Sequence, residues 1–288
     1  MNTELKTTNE VAQKSGHLPN FTIEDLFEKN IHYGHVKNLW NPKMAPYIHS
    51  VKNNVHIINL AKTFEALNRA KAELYKAGLT HKRVLFVGTK PQISKHIKQY
   101  AIECGQYYVN HKWLGGMLTN WKVVNTLVKT LQKYEKLVQK ESINYTKKEL
   151  MMLTKKIEKL EKSIGGIKDL PTKPDILFVI DTELEKMAIT EANKLGIKVI
   201  AVVDTNSNPD GVDIVIPGND DSIKATQFYL SQASESILAG IKKGLLSPSQ
   251  GASKTEKKPQ APAKSEVRTE KKPQAPAKSE KKALAKKD

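Results

Sequence analysis

The chain of 288 residues carries 47 Lys and Arg against 30 Asp and Glu, a formal net charge of +17 with a pI near 9.6. That length can bury one large core or two modest ones, and the charge makes a polyanion, nucleic acid or anionic membrane, the first partner to expect. No run approaches the roughly 20 apolar residues that span a bilayer, and the single cysteine, Cys104, excludes an intramolecular disulfide framework and a Cys-rich zinc site and fits a reducing compartment, hence the cytosol.

Residues 1–20 contain Glu4 and Glu10, no Arg and no apolar segment, so they are read as a flexible polar arm and neither a secretory signal nor a transit peptide. Phe21-Thr22-Ile23-Glu24-Asp25-Leu26 predicts a short helix. Thr22 is its cap, Asp25 lies in the positive first turn, Phe21 staples onto Leu26, and Asn30 tolerates the left-handed stop. After Trp40-Asn41-Pro42, the stretches Tyr47–Val51 and Val55–Ile58 flank a Lys52-Asn53-Asn54 turn and predict a hairpin. Ala61–Ala77 is an amphipathic helix with Phe64, Leu67, Ala70 and Leu74 inward.

From Arg83 strands and helices alternate: strand Val84–Val87, helix Gln92–Cys104 and strand Tyr107–Val109. Later come strand Ile176–Ile180, helix Glu183–Leu195, strands Lys198–Val203 and Asp213–Ile216, and a final helix Ser222–Lys243. Strands joined by helices predict right-handed crossovers and a doubly wound, mainly parallel α/β sheet of Rossmann or flavodoxin type. The body is placed at 21–111 and 169–246.

Residues 112–168 interrupt that body. Met117, Trp121, Val124, Val128, Leu131 and Val138 follow a 4,3,4,3 rhythm broken only by Glu135 in an inward slot, and Leu150, Leu153, Ile157, Leu160, Ile164 and Ile167 follow 3,4,3,4,3. Two heptad-type helices folding back as a protruding antiparallel coiled-coil hairpin are expected, with Thr146 and Glu149 as a capping box for the second. Trp121–Lys168 holds 12 Lys against 5 Glu, a net of +7.

The last segment, 247–288, is a low-complexity basic tail in which TEKKPQAPAKSE occurs twice, at Thr255–Glu266 and Thr269–Glu280, and it is expected to be disordered. Gly251–Asp288 again nets +7, leaving about +3 for everything else. Lysine runs can be no more than solvated helix faces and soluble tails. Two such blocks on a near-neutral body favour a polyphosphate partner.

Signals for enzyme chemistry are weak. Val87-Gly88-Thr89-Lys90 follows the first parallel strand, where a phosphate would bind, yet both G-x-G-x-x-G and G-x-x-x-x-G-K-[ST] are missing there. The turn is then a tight strand-to-helix connection, with Lys90 still able to meet an RNA phosphate. His32 and His35 have no nearby Cys or clear third ligand to complete a metal site, so packing or RNA contact is expected of them. Asp175, Asp181, Asp204, Asp220 and Asp221 sit near element ends, where carboxylates serve as caps as readily as catalytic acids, and Cys104 reads as a small buried hydrophobe. Tyr33, Trp40, Trp113 and Trp121 lie among His and Lys and suit base or ribose stacking, while Trp113 and Trp121 also suit the base of the hairpin.

Several longer stretches resemble a known family. They are His32-Tyr33-Gly34-His35, Trp40-Asn41-Pro42-Lys43-Met44, Val87-Gly88-Thr89-Lys90, Lys112–Asn120 (KWLGGMLTN), Pro174–Asp181 (PDILFVID), Val203-Asp204-Thr205-Asn206 and Ile216–Asp221 (IPGNDD). In order and spacing, from about residue 21 to 246, they are similar to the universal small-subunit ribosomal protein two family of bacterial type. The resemblance implies an α/β body with a protruding hairpin, set on small-subunit ribosomal RNA between head and body on the solvent side. It also implies a role in docking the messenger-RNA-capturing ribosomal protein one, among neighbouring small-subunit proteins. Asn30 stands where the family commonly has Gly, Lys112 where it has Arg, and Ser207 where Cys is frequent.

The expected function is that of a structural constituent of the small ribosomal subunit in the cytoplasm, not an enzyme, with no catalytic residue, cofactor, metal, membrane or small-molecule substrate. The RNA-binding residues expected are Lys37, Lys43, Lys90 and Lys112 on the body and Lys122, Lys129, Lys133, Lys136, Lys147 and Lys148 on the hairpin. The rivals are a nucleotide-binding α/β enzyme and a free-standing module whose tail binds acidic proteins or membrane.

Overall fold

A computed structural model describes residues 20–140 and 146–246. The readings of the N-terminal arm, of the turn between the two basic helices and of the repeat tail lie outside the described residues.

The elements in chain order begin with helix α1 (Ile23–Glu28) and strands β1 (Tyr33–Val36), β2 (Ile48–Lys52) and β3 (Val55–Ile58). Helix α2 (Leu60–Leu79), strand β4 (Val84–Val87), helix α3 (Ser94–Glu103) and strand β5 (Tyr107–Val109) follow. Two helices, α4 (Trp121–Lys140) and α5 (Lys147–Ile164), come next, then β6 (Ile176–Ile180), α6 (Lys186–Lys194), β7 (Lys198–Val203), β8 (Ile214–Pro217) and α7 (Ile223–Leu246).

Strands β4 to β8 form a five-stranded parallel sheet in the order β5-β4-β6-β7-β8. This is the flavodoxin-like order of a doubly wound sheet, with its switch point between β4 and β6. Alternate residues of each strand feed two cores. Val84, Phe86, Phe178, Ile200 and Val202 pack with Leu67, Leu74, Ile97, Tyr229 and Ile237 from α2, α3 and α7. Leu85, Val87, Leu177, Val179, Val199 and Ala201 pack with Ala188 and Ala192 from α6, with Trp113, Met117 and Leu118, and with Val124, Leu131 and Ile164 from α4 and α5. Helices therefore cover both faces, which explains why β4, β6 and β7 read as continuous apolar runs.

Helices α4 and α5 stand between β5 and β6 and touch each other. Their inward positions Val124, Val128, Leu131, Ile157, Leu160 and Ile164 are buried or half-buried within the second core. Glu135, the carboxylate in the apolar rhythm, binds the Lys168 ammonium through both oxygens at 2.7 Å, so the polar seam position is paired. Thr146 and Glu149 form the expected capping box. The apolar rhythm overruns the helices, because Met117 lies in the turn before α4 and Ile167 in a short 3-10 helix after α5.

The N-terminal segment differs most from expectation. The hairpin is present, with Asn53 and Asn54 both at positive φ (50° and 64°) as a two-residue primed turn requires. However, β1 adds to β3 and completes a three-stranded antiparallel sheet. Gly34 explains where it docks: a Cβ there would lie 2.6 Å from Thr205 Cγ2. The His35 N–H donates to Thr205 Oγ1 at 2.8 Å, which fixes the strand to the end of β7. Helix α6 starts at Lys186, later than the pattern implies, because Asp181 (φ 71°) accepts the Glu183 and Leu184 N–H groups and turns the chain first.

Candidate nucleic-acid interface

Nine of the ten lysines selected from the sequence are exposed: Lys37, Lys43, Lys112, Lys122, Lys129, Lys133, Lys136, Lys147 and Lys148. The six on α4 and α5 occupy outward positions because the apolar positions of each helix turn inward. Lys155, Lys156, Lys159 and Lys162 on α5 are exposed as well and belong with them. The sequence count of the basic block already contained these four. Lys43 pairs with the exposed Asp210, and the Lys37 N–H donates to Asn54 O at 2.9 Å, setting it beside the β2–β3 turn.

Lys90 is the exception. Its ammonium lies 2.8 Å from Asp181, 2.8 Å from Asp220 and 2.7 Å from Asp221. Burial works against its charge, but the Asp220 charge and the hydrogen bonds to all three carboxylates outweigh it and hold the pKa above that of an ordinary lysine. Such an amine stays protonated and neither attacks nor takes a proton. Its charge is neutralised inside the chain, whereas of the nine exposed lysines only Lys43 has a carboxylate partner among the described residues.

The carboxylates around Lys90 come from the ends of β6 and β8. His35 joins them, 3.2 Å from Asp204 and 3.3 Å from Asp221, while Thr89 N–H donates to the buried Glu185 at 2.7 Å. His32 goes elsewhere, stacked on Phe27 at 4.3 Å and tilted against Tyr33 at 4.1 Å. The motif residues Gly34, Lys90, Asp181, Asp204 and Asp220, far apart in sequence, thus meet at the carboxyl ends of the parallel strands. This is where doubly wound proteins bind nucleotides, and an ionic network of the chain's own side chains fills it. Asp175 lies apart, in a fork with Arg83 at the start of β6 (2.9 Å and 3.2 Å). Cys104 is buried, which pushes its thiol up to about 11.

One buried side chain escaped sequence reasoning. Glu191, on α6, accepts the Trp113 Nε1–H at 3.1 Å and the Gly116 N–H at 2.7 Å on one oxygen. Its other oxygen accepts the Leu118 and Thr119 N–H groups (2.9 and 3.1 Å) and the Thr119 hydroxyl (3.2 Å). Burial alone would raise its pKa, and the backbone donors bring it below the ordinary glutamate value. A single carboxylate therefore organises the KWLGGMLTN loop that leads into α4. Glutamate among the inward Ala188 and Ala192 was the available signal.

Two comparisons bear on identity. The family model described as ribosomal protein S2 matches residues 26–240. The chain belongs to the ribosomal protein S2 family. It is 52% identical over 228 residues to the small ribosomal subunit protein uS2 of Ehrlichia canis, covering 79% of this chain and 78% of that one. The uS2 of Wolbachia pipientis wMel is 52% identical over 230 residues (79% and 82% covered), and that of Idiomarina loihiensis 49% over 221 residues (76% and 91%). As a ribosomal protein S2 family member it is a structural protein of the small ribosomal subunit and not an enzyme. Among the described residues no helix is long and apolar enough to cross a membrane.

Two measurements probe this geometry. Replacing Glu191 by Ala strands five donors at the entry to α4 and is expected to lower unfolding free energy by about 3 kcal/mol or more in urea titrations. A loss under about 1 kcal/mol would show that water replaces the carboxylate. The second concerns pH. Burial, reinforced by the Asp204 and Asp181 charges and opposed by Lys90, pushes Asp220 up to about 7. Below that value the folded chain holds a proton that unfolded Asp has released, so stability falls as pH rises from the ordinary carboxylate range through 7. His35, raised chiefly by its hydrogen bond to Asp204, acts with the same sign above 6.5. Asp220→Asn should flatten the decline in unfolding free energy between about pH 5 and about pH 7, and an unchanged slope would contradict the assignment.

Proposed function

We propose that the chain binds small-subunit ribosomal RNA through the exposed lysines of an inserted helical hairpin, residues 112–168, with Lys37, Lys43 and Lys112 adding contacts from the body. The observation that carries this reading is the partition of α4 and α5. Apolar residues close one side against each other and the second core, and Lys122, Lys129, Lys133, Lys136, Lys147 and Lys148 cover the other. Heptad spacing and the paired Glu135 support an antiparallel coiled-coil arrangement, whose length would carry lysines away from the sheet. Contacts of this kind go to phosphates and fix position, while the shape of folded RNA supplies specificity. The loop at the switch point keeps Lys90 for internal use, so it is left out of the contact set.

The family resemblance supports a further part of the function, docking of the messenger-RNA-capturing ribosomal protein one on the assembled subunit. Exposed Val123, Met151 and Met152 among the hairpin lysines provide apolar contact area suited to a protein neighbour.

The test is binding of purified chain to small subunits lacking their own copy, across a salt series. Each phosphate contact contributes roughly 0.7 to 0.9 to the slope of log affinity against log salt. Changing Lys122, Lys129, Lys133 and Lys136 together to Gln should lower that slope by about 3 and weaken association at raised salt by well over tenfold. Equal slope and affinity would remove the hairpin from the interface.

A further inference from the structure

The segment Lys29–Ile58 contains four Lys, four His and no Asp or Glu. Its formal +4 exceeds the +3 left for the whole chain outside the hairpin block and the tail. This segment builds the three-stranded sheet, one face of which has no cover among the described residues. Tyr33, Ile57 and Ser50 form one cross-strand row and Val36, Val55 and Lys52 the next. Directly opposed residues share a face, as do Val55 and Ile57 at alternate positions of β3. None of the six belongs to either core, whereas His56 and Ile58, on the opposite face of β3, are buried. Tyr33 is 47% exposed, and Phe27, stacked on the other side of His32, is 60% exposed. Tyr33 thus stands open at the β1 edge with Lys52 on the same face, Lys37 lies beside the turn at its end, and Phe27 lies beyond the buried His32.

We propose that this open face is a second RNA contact that takes unpaired nucleotides. A base stacks on the free side of the Tyr33 ring, Phe27 offers a second exposed ring on the far side of His32, and the neighbouring phosphates meet Lys37 and Lys52. The chemistry differs from that of the hairpin. A flat ring on a sheet reaches a base only when that base is out of a helix, whereas lysines on a projecting helix meet phosphates of paired and unpaired RNA alike. The strands and turns of Lys29–Ile58 carry no carboxylate, and Lys37 and Lys52 have no carboxylate partner among the described residues, so the Tyr33 face matches a base next to its phosphate better than it matches a basic or neutral protein surface.

The inference rests on the RNA-binding reading above, and the experiment separates the two. Fluorescence anisotropy of the full chain is measured with a labelled oligoadenylate and with a perfect RNA duplex of equal length. Tyr33→Ala should weaken oligoadenylate binding about tenfold and leave duplex binding unchanged, and Tyr33→Phe should keep both. Phe27→Leu, at an exposed position, should cost several-fold on oligoadenylate only and guards against misfolding of the first variant. Undiminished oligoadenylate binding by both Tyr33→Ala and Phe27→Leu overturns the proposal, as does wild-type chain that binds duplex but not oligoadenylate. In either case the hairpin reading stands. Wild-type chain that binds neither RNA overturns both. If Tyr33→Ala leaves RNA binding intact yet impairs joining to small subunits, the face meets a protein and the proposal fails.

Discussion

The Glu191 carboxylate is the constraint on which the rest of the arrangement turns. It sits on α6, against the sheet, and gathers three backbone N–H groups and two side-chain donors from the loop Trp113–Thr119. Because a buried carboxylate is tolerated only when its oxygens are satisfied, loop and helix hold each other in one geometry. That loop opens directly into α4, so the direction in which the lysine-bearing helix leaves the sheet is set by one residue 75 positions away from Gly116. The apolar seam of α4 and α5 then continues the second core without interruption, from Val199 and Ala201 through Met117 to Leu131. Charge display and core packing are thus properties of the same two helices.

At the carboxyl ends of the parallel strands lies a site that the fold makes available and the chain closes. The switch point between β4 and β6 is where doubly wound sheets receive phosphates, and here it holds Lys90 among three carboxylates, with His35 bridging Asp204 and Asp221. The network ties β1, β4, β6 and β8 together at their ends. Its cost is borne by Asp220, which burial and the neighbouring Asp204 and Asp181 charges push up to about 7 against the opposing Lys90. An α/β sheet of nucleotide-binding topology can therefore serve as a platform for assembly.

Much of this was legible in the amino-acid sequence. Val84–Val87, Ile176–Ile180 and Lys198–Val203 have the bounds that the apolar runs predict, because a strand buried on both faces leaves an unmixed signature. The Thr146–Glu149 box and the inward rhythm of α4 and α5 were equally readable, being local in sequence. Strand β1 was not, since Tyr33-Gly34-His35-Val36 shows no alternation and becomes a strand through Thr205 and β3, which come much later in the chain. The fate of Lys90 was hidden for the same reason: a lysine beside Gly88 and Thr89 looks available until Asp181, Asp220 and Asp221 are brought to it. The open face carrying Tyr33 likewise depends on a pairing that no local pattern encodes.

The positive charge of the chain is accordingly distributed by task. Lys90 and Lys168 hold the fold, the outward lysines of α4 and α5 are free of carboxylate partners among the described residues, and a smaller set flanks the three-stranded sheet. The central claim, that the protein works as a bound constituent of the small subunit, is tested most directly by sucrose-gradient sedimentation of cell extract at high salt, with the chain followed by immunoblot. The chain is expected to travel with the small-subunit peak as salt is raised. Its appearance only in the soluble top fractions would show that it is not a bound constituent of the subunit.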